Sequence, residues 1–311
     1  MKIVITGASG FIGGSFLKKL LSENAGHDVI CLSSSDAGQE KLLAQWPQLK
    51  VFALREIDSP TVLQAMNGAD TLIHFGWSTV PRTADADPRK DLLENVYDGV
   101  SLIGSAGNAG IGKFIFLSSG GTVYGNSADA PFREDHATRP VSAYGISKLT
   151  FEHYLRSVSS HNTMQHVILR PGNIYGRVTD PLRPQGVIEH WMHQILRNDP
   201  VHVWGNTDVV RDYVHVDDLV KVLMALLEHT GEEQMFNVGT GIGTSLAQLI
   251  QLLKEVSGRE FQVVQNSGDI TTPLVNILNS DRLRDQLGFA PDIQLGEGLK
   301  QLWNELLIGS R

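Results

Sequence analysis

Residues 2–13, KIVITGASGFIG, constrain the fold more than any other stretch of the chain. Lys2–Thr6 is a short apolar run rich in β-branched residues and reads as a buried strand. It stops at Gly7. After the glycine turn, Phe11, Ile12, Phe16, Leu17, Leu20 and Leu21 recur with helical spacing. Strand, glycine turn and helix together suit the pyrophosphate of a dinucleotide. Glycines let the backbone turn tightly and approach the phosphates, and a helix start offers free N–H groups and partial positive charge. Gly7, Gly10 and Gly13 are spaced G-x-x-G-x-x-G, the middle glycine one place later than in the commoner Rossmann pattern. The alternative is a tight strand-to-helix turn with no ligand; the context on both sides favours the dinucleotide.

The residues downstream extend this unit. Asp28–Leu32 reads as a second strand, whose end faces the adenosine ribose in a Rossmann unit, where an acid selects NAD through the 2′-hydroxyl. Here Ser33, Ser34 and Ser35 follow, with no carboxylate at Ser33. That favours NADP, although no arginine stands beside the serines. NAD stays open, since Asp36 could bend back to serve the ribose. A third strand, Val51–Leu54, leads to Glu56 and Ile57, placed to border the adenine. Thr71–Phe75 is a fourth strand, followed by Gly76, Trp77, Ser78 and Thr79. His74 on its apolar end reads as a packed residue rather than a catalytic one. A helix over 92–109 carries Asn95, and Phe114–Leu117 is a fifth strand, followed by Ser118, Ser119, Gly120, Gly121 and Thr122. Such alternation predicts an α/β fold with a doubly wound parallel sheet, and ligands bind beyond the carboxyl ends of its strands.

Size and charge narrow the function. The chain has 311 residues, 41% of them hydrophobic, enough for one large domain or two. Its net charge of −8 and lack of a basic run argue against a nucleic-acid or acidic-membrane partner. The single cysteine, Cys31, excludes a disulfide within the chain and a structural zinc site of cysteines. No apolar stretch approaches the roughly 18–20 residues of a membrane span, and no signal pattern opens the chain. A cytoplasmic enzyme is expected, with no metal site.

Tyr144 and Lys148 carry the chemistry. Four residues apart on a helix, they share one face. A phenol titrates near ~10, so a base near neutrality requires its pKa to fall by about 3, roughly 4 kcal/mol of preferential phenolate stabilisation. A nearby ammonium supplies this and can hold the nicotinamide ribose. The phenol then moves a hydroxyl proton while the cofactor moves hydride.

The stretches TGASGFIGG, LIHFGWSTVP, ENVYDGV, FLSSGGTVYG, YGISK, LRPGNIYG and WGNTDVVRDYVHVDDL follow one another from Thr6 to Leu219. With them the chain resembles the extended short-chain dehydrogenase/reductases, the NAD-dependent epimerase/dehydratase family, especially its UDP-glucose 4-epimerase branch. The resemblance implies a Rossmann-type sheet with a smaller C-terminal substrate lobe. The boundaries expected are 1–170 with about 212–228 for the first, and 171–211 with 229–311 for the second. It implies that Tyr144 is the acid/base and Lys148 its electrostatic partner. The cofactor would be held by the turn (Gly7, Ser9, Gly10, Phe11, Ile12, Gly13) and by Phe75, Gly76, Asn95, Leu117 and Pro171. Ser78, Thr79, Asn173 and Arg211 would contact a nucleotide-diphosphate sugar. A guanidinium fork at Arg211 suits a diphosphate; the alternative is a surface pair with Asp212. Asp217 or Asp218 is read as the N-cap of a helix running to Leu227 rather than as a catalytic acid. Helices 92–109 and 143–155 are those that pair across a homodimer in relatives.

Three departures from the family pattern bear on the reaction. Gly120 stands where the family has the Ser or Thr that polarises the sugar oxygen, so Thr122, or else Ser119, is expected to replace it. Gly121-Thr122 lacks the acidic pair of the dehydratases, which argues against 4,6-dehydration. The late R-x-x-D-x-P element is represented by residues 269–273 without its arginine, leaving the diphosphate to Arg211 with Arg183 or Arg282 as helpers. The reading is a nucleotide-sugar 4-epimerase with bound NAD or NADP, or alternatively an NADPH-dependent 4-ketoreductase of a nucleotide-linked keto-deoxysugar.

Overall fold

The computed structural model describes residues 1–23, 26–55, 57–126, 129–177, 186–232, 234–267 and 273–309. In chain order its strands are β1 (Lys2–Thr6), β2 (Asp28–Ser33), β3 (Lys50–Ala53), β4 (Thr71–His74), β5 (Lys113–Leu117), β6 (Gln165–Pro171), β7 (Asn173–Tyr175), β8 (Val201–Trp204), β9 (Val210–His215), β10 (Met235–Val238), β11 (Gly243–Ser245), β12 (Val263–Asn266) and β13 (Val275–Asn276). The chain divides into two compact units. The first comprises Met1–Ser119, Ser142–Arg170 and Leu223–Phe236; the second comprises Gly120–Val141, Pro171–Val222 and Asn237–Arg311.

A seven-stranded sheet in the order β10-β6-β5-β4-β1-β2-β3 organises the Rossmann-type part of the fold. The pairs β1–β2, β1–β4, β2–β3, β4–β5 and β5–β6 are all parallel. A parallel sheet is covered on both faces, so its strands must be apolar throughout. Ile3, Val4 and Ile5 of β1 and Phe114, Ile115 and Phe116 of β5 are accordingly fully buried. The strand order reverses between β1 and β4, and a crevice opens beyond their carboxyl ends. Gly7 sits at that point with φ of +70°, and a β-carbon there would lie 2.5 Å from the Gly76 nitrogen. At Gly13 a β-carbon would lie 2.4 Å from the Gly7 carbonyl oxygen. The first and last glycines are therefore required by how closely helix Phe11–Ser22 meets β1 and the loop after β4.

Phe151, on helix Ala143–Ser159, is fully buried with Phe114, Phe116, Leu102 and Ile103. Burying one such ring is worth roughly 2–3 kcal/mol, so this cluster fixes the helix that carries Tyr144 and Lys148. The segment expected as one helix over 92–109 is built otherwise. A short α-helix, Pro88–Asp91, runs into a π-helical turn, Leu92–Tyr97, and then into helix Asp98–Asn108. The Asp87 side chain, accepting from the Lys90 N–H, and Pro88 in the first turn start the helix earlier than the apolar spacing suggests.

In the second unit β9 is central, with β11 antiparallel to it and β7 and β13 parallel. Strands β8 and β12 pair separately. Tyr175, Trp191, Met192, Leu249, Leu299 and Trp303 belong to this unit's core. One alternative is removed here and one expectation corrected. Asp212 forms no surface pair with Arg211: it is fully buried and accepts from Thr240, Gly241 and Leu278. Asp217 and Asp218 are not N-caps, because helix Val216–Glu228 already holds both in its first turn. Asp218 instead accepts from the backbone N–H groups of Asp292 and Ile293, tying a later loop to the helix. Among the described residues, no helix is long and apolar enough to cross a membrane.

Candidate active site

The crevice at the end of β1 and β4 is a cleft of about 690 Å³ within the first unit. Gly7, Ser9, Gly10, Ser33, Ser34, Ile57, Phe75, Gly76, Ser78 and Asn95 are among the residues that line it. Its size falls in the range of cofactor sites, and the glycines leave no side chain between the turn and a ligand. These residues fit a dinucleotide. Phe11, Ile12 and Gly13 of the expected set stand on the first turn of helix Phe11–Ser22.

Tyr144 and Lys148 project from one face of helix Ala143–Ser159, started by the Ser142 hydroxyl accepting from the Gly145 N–H. Lys148 is buried, and its Nζ donates to the Leu117 carbonyl over 2.8 Å. That contact gives Leu117 a role in placing the lysine. The same Nζ lies 3.7 Å from the centroid of the Trp77 ring and 5.6 Å from that of Tyr144. Trp77 meets Tyr144 edge-on with 6.1 Å between ring centroids. Trp77 also lines the cleft, so the pair adjoins the cleft through this ring.

The electrostatics differ from the sequence expectation. Burial pushes the Tyr144 phenol above its ordinary range, and the Asp91 carboxylate adds to the rise. Burial drives Lys148 well below the ordinary ammonium range, against the opposing charges of Asp91 and Glu152. In the protein alone, desolvation and the Asp91 charge therefore both hold the proton on Tyr144.

Asp91 is the residue the sequence reading missed. It is fully buried, and its Oδ1 accepts from the Thr79 hydroxyl and, over 2.9 Å, from Asn95 Nδ2. Asn95 Nδ2 also donates to Thr79 Oγ1, while Asn95 Oδ1 accepts from the Ser78 N–H and hydroxyl. The π-helical turn is what aims Asn95 into this network. The one available signal was spacing, since Asp91 precedes Asn95 by four residues. Replacing Asp91 by asparagine removes a negative charge that raises the phenol pKa. The Asp91→Asn protein is expected to ionise Tyr144 at lower pH, read as a downward move of the acidic limb of kcat/KM for alcohol oxidation. A limb that stays in place would remove the Asp91 charge from the account.

Other expected residues fall in different places. His74 is buried, shares a 2.7 Å hydrogen bond between its Nδ1 and Thr6 Oγ1, and stacks on Phe151. Burial, helped by Lys148, lowers its pKa to about 3, so the imidazole is a neutral packed ring. Ser119 is half-buried at the end of a first-unit segment. Thr122, Pro171, Asn173 and Arg211 belong to the second unit. Thr122 Oγ1 is buried without a hydrogen-bond partner among the described residues. Pro171 closes β6, and Asn173 on β7 pairs with Tyr213 of β9. Arg211 Nη1 donates to the carbonyls of Val210 and Pro273. Arg282 Nε lies 3.7 Å from Glu134 Oε2. Glu56, Arg183 and residues 269–272 lie outside the described residues.

Comparison with known proteins places this geometry. The model of the NAD dependent epimerase/dehydratase family matches residues 3–239. The chain is 31% identical over 309 residues to a dTDP-4-dehydro-6-deoxyglucose reductase of Escherichia coli, covering 96% of each chain. It is 30% identical over 304 residues to a UDP-glucose 4-epimerase of Mycolicibacterium smegmatis, again covering 96% of each. Among solved structures, the UDP-glucose 4-epimerase of Thermotoga maritima with UDP-glucose superposes with a TM-score of 0.91 at 29% identity, over 100% of both chains. The Thermus thermophilus UDP-glucose 4-epimerase in complex with NAD gives 0.87 at 25% identity, over 99% of both.

Proposed function

Because the chain belongs to the NAD-dependent epimerase/dehydratase family, we propose that it is a nucleotide-sugar 4-epimerase working through a transient 4-keto sugar. The observation that carries this reading is the Tyr144–Lys148 pair, set beside the cleft by Trp77 and backed by the Asp91–Asn95 network. A nicotinamide cofactor, when bound, supplies the hydride acceptor and, in its oxidised form, a positive charge that favours the phenolate. Gly7, Ser9, Gly10, Phe75, Gly76 and Asn95 would hold that cofactor, and Lys148 would fix its ribose.

Tyr144 would hold and move the proton of the sugar C4 hydroxyl, accepting it when the alcohol is oxidised and giving it back when the 4-keto sugar is reduced on its other face, so that no net redox change would result. Thr122 Oγ1, with its hydrogen-bonding capacity unspent, is assigned to the sugar oxygen. Asn173 and Arg211 are assigned to the nucleotide diphosphate. A carboxylate is missing at Gly121-Thr122, which separates this site from 4,6-dehydration chemistry. Homodimer pairing belongs to the same reading, supported by exposed Tyr97, Ile146 and Tyr154 on the helices expected to pair.

The second reading is a 4-ketoreductase that consumes a reduced cofactor, favoured by Ser33 at the place of the ribose-binding acid. The two separate in one assay. The protein is incubated with UDP-glucose, UDP-N-acetylglucosamine or a dTDP-4-keto-6-deoxy sugar, with and without NADPH, while nicotinamide absorbance is followed. The expected result is epimerised UDP-sugar with no net cofactor change. Stoichiometric loss of NADPH with the keto sugar would replace the epimerase by the reductase.

A further inference from the structure

The helical spacing of Tyr144 and Lys148 brings the two side chains together but does not keep the lysine charged. Lys148 is buried, and burial drives its ammonium well below the ordinary range. A neutral amine cannot stabilise a phenolate, so the loss of water around Nζ has to be offset by the groups that face it. On its own helix Glu152 acts against the loss, but that carboxylate also accepts from Arg170, Arg156 and the Ser118 hydroxyl. Asp91, at the end of helix Pro88–Asp91, acts in the same direction while its Oδ1 is bonded to Thr79 and Asn95. His74 of β4 is neutral, and Tyr144 holds its own proton. Strand β5 offers the Leu117 carbonyl, 2.8 Å from Nζ, and the Phe116 ring at 4.9 Å.

The remaining neighbour is Trp77, whose ring centroid lies 3.7 Å from Nζ. An indole face is the best aromatic partner for a cation, and the attraction grows where water is excluded. Packing holds this ring in place: the centroids of Phe116 and Phe151 stand 5.8 and 6.0 Å away. Its Nε1 is buried with no hydrogen-bond partner among the described residues. A buried, unpaired N–H costs stability, a cost that a purely apolar side chain does not carry. What the indole offers here beyond such a side chain is its electron-rich face.

We propose that Trp77 is a positioning residue for proton transfer: its indole face, laid against Lys148 Nζ, keeps the lysine charged beside Tyr144 in a site closed to water. Trp77 acts through the lysine and moves no proton itself. The inference rests on the reading of Tyr144 and Lys148 as the proton-moving pair, and adds the group that sustains the charge of that pair.

The test reads Lys148 directly in the intact protein. Protein with isotopically labelled lysine side chains is titrated by NMR, the Lys148 signal being assigned by its loss in Lys148→Met. Tryptophan is then replaced biosynthetically by its mono- and difluorinated forms, which drain the ring face with little change in size. The Lys148 midpoint is expected to fall with each added fluorine. In Trp77→Leu it is expected to fall by at least about one pH unit, a ten-fold change in the ammonium-to-amine ratio. Trp77→Phe, which keeps a weaker face, should lie between the parent and Trp77→Leu, and fluorination of its remaining tryptophans should leave the midpoint in place. The alkaline limb of the kcat/KM profile should move down with the midpoint, since the pair works only while the lysine is charged. The fluorinated proteins keep the parent's packing, so they decide the matter even where Trp77→Leu does not fold. A ring that merely packs would lower stability or kcat and leave midpoint and limb unmoved, and that result would overturn the inference. Lys148→Met turning over within a few-fold of the parent would instead overturn the proton-moving pair itself, a separately recognisable result.

Discussion

Tyr144→Phe is expected to lower turnover by at least ~100-fold, the low end of what a positioned proton-transfer group contributes. The substitution removes one oxygen and keeps the ring that meets Trp77 edge-on. Folding and nucleotide affinity should therefore change little, and the loss should appear in kcat rather than in cofactor binding. Burial and Asp91 both hold the phenol proton more tightly than in water. The group is thus built as a proton donor that needs added positive charge before it can accept. Turnover within a few-fold of the parent protein would take Tyr144 out of the mechanism and leave water or another hydroxyl to move the proton.

Glu152→Ala is expected to cost about 3–5 kcal/mol of stability, the range seen when one member of a buried ion pair is deleted. Glu152 is fully buried on the helix that carries Tyr144 and Lys148. Its Oε2 accepts from Arg170 Nη2 over 2.6 Å and from Arg156 Nη2 over 3.0 Å, and its Oε1 from Arg170 Nε and the Ser118 hydroxyl. Arg170 lies on β6 and is itself buried. Deleting the carboxylate takes the Glu152 charge away from that guanidinium and loosens the helix from the sheet end it is bonded to. Urea denaturation reads the loss as a lower midpoint at nearly constant slope. Pairing Glu152→Met with Arg170→Met should recover most of it, because both charges of the pair are then gone together. A single-variant loss below about 1 kcal/mol would show that the pair barely offsets its own desolvation.

Local features were legible wherever one segment contained the whole cause. β1 runs Lys2–Thr6 as its β-branched residues dictate, and the helix after the glycine turn begins at Phe11 as its apolar spacing dictates. The four-residue spacing of Tyr144 and Lys148 places both on one helical face. His74 was read as a packed ring from its apolar strand, and it stacks on Phe151. The break at the π-helical turn was not legible. Residues 92–109 keep helical spacing throughout, and only Ser78, Thr79 and Asp91 around Asn95 give the backbone a reason to widen. Asp212 beside Arg211 invited a local pair, but four hydrogen bonds from residues 28 or more positions away bury it instead.

Sequence alone determined the kind of molecule. Glycines at the end of a buried strand can serve only a close turn, and an apolar strand–helix alternation can bury itself only as a parallel sheet covered on both faces. Tertiary structure decided the charges around the site. Burial raises the phenol against its expected direction and lowers the ammonium, Asp91 reaches both, and the β2–β3 register carries Arg55 to the serines that have no arginine beside them in the chain. Electrostatic energy depends on distance and on exclusion of water. Neither quantity exists until remote segments are packed together.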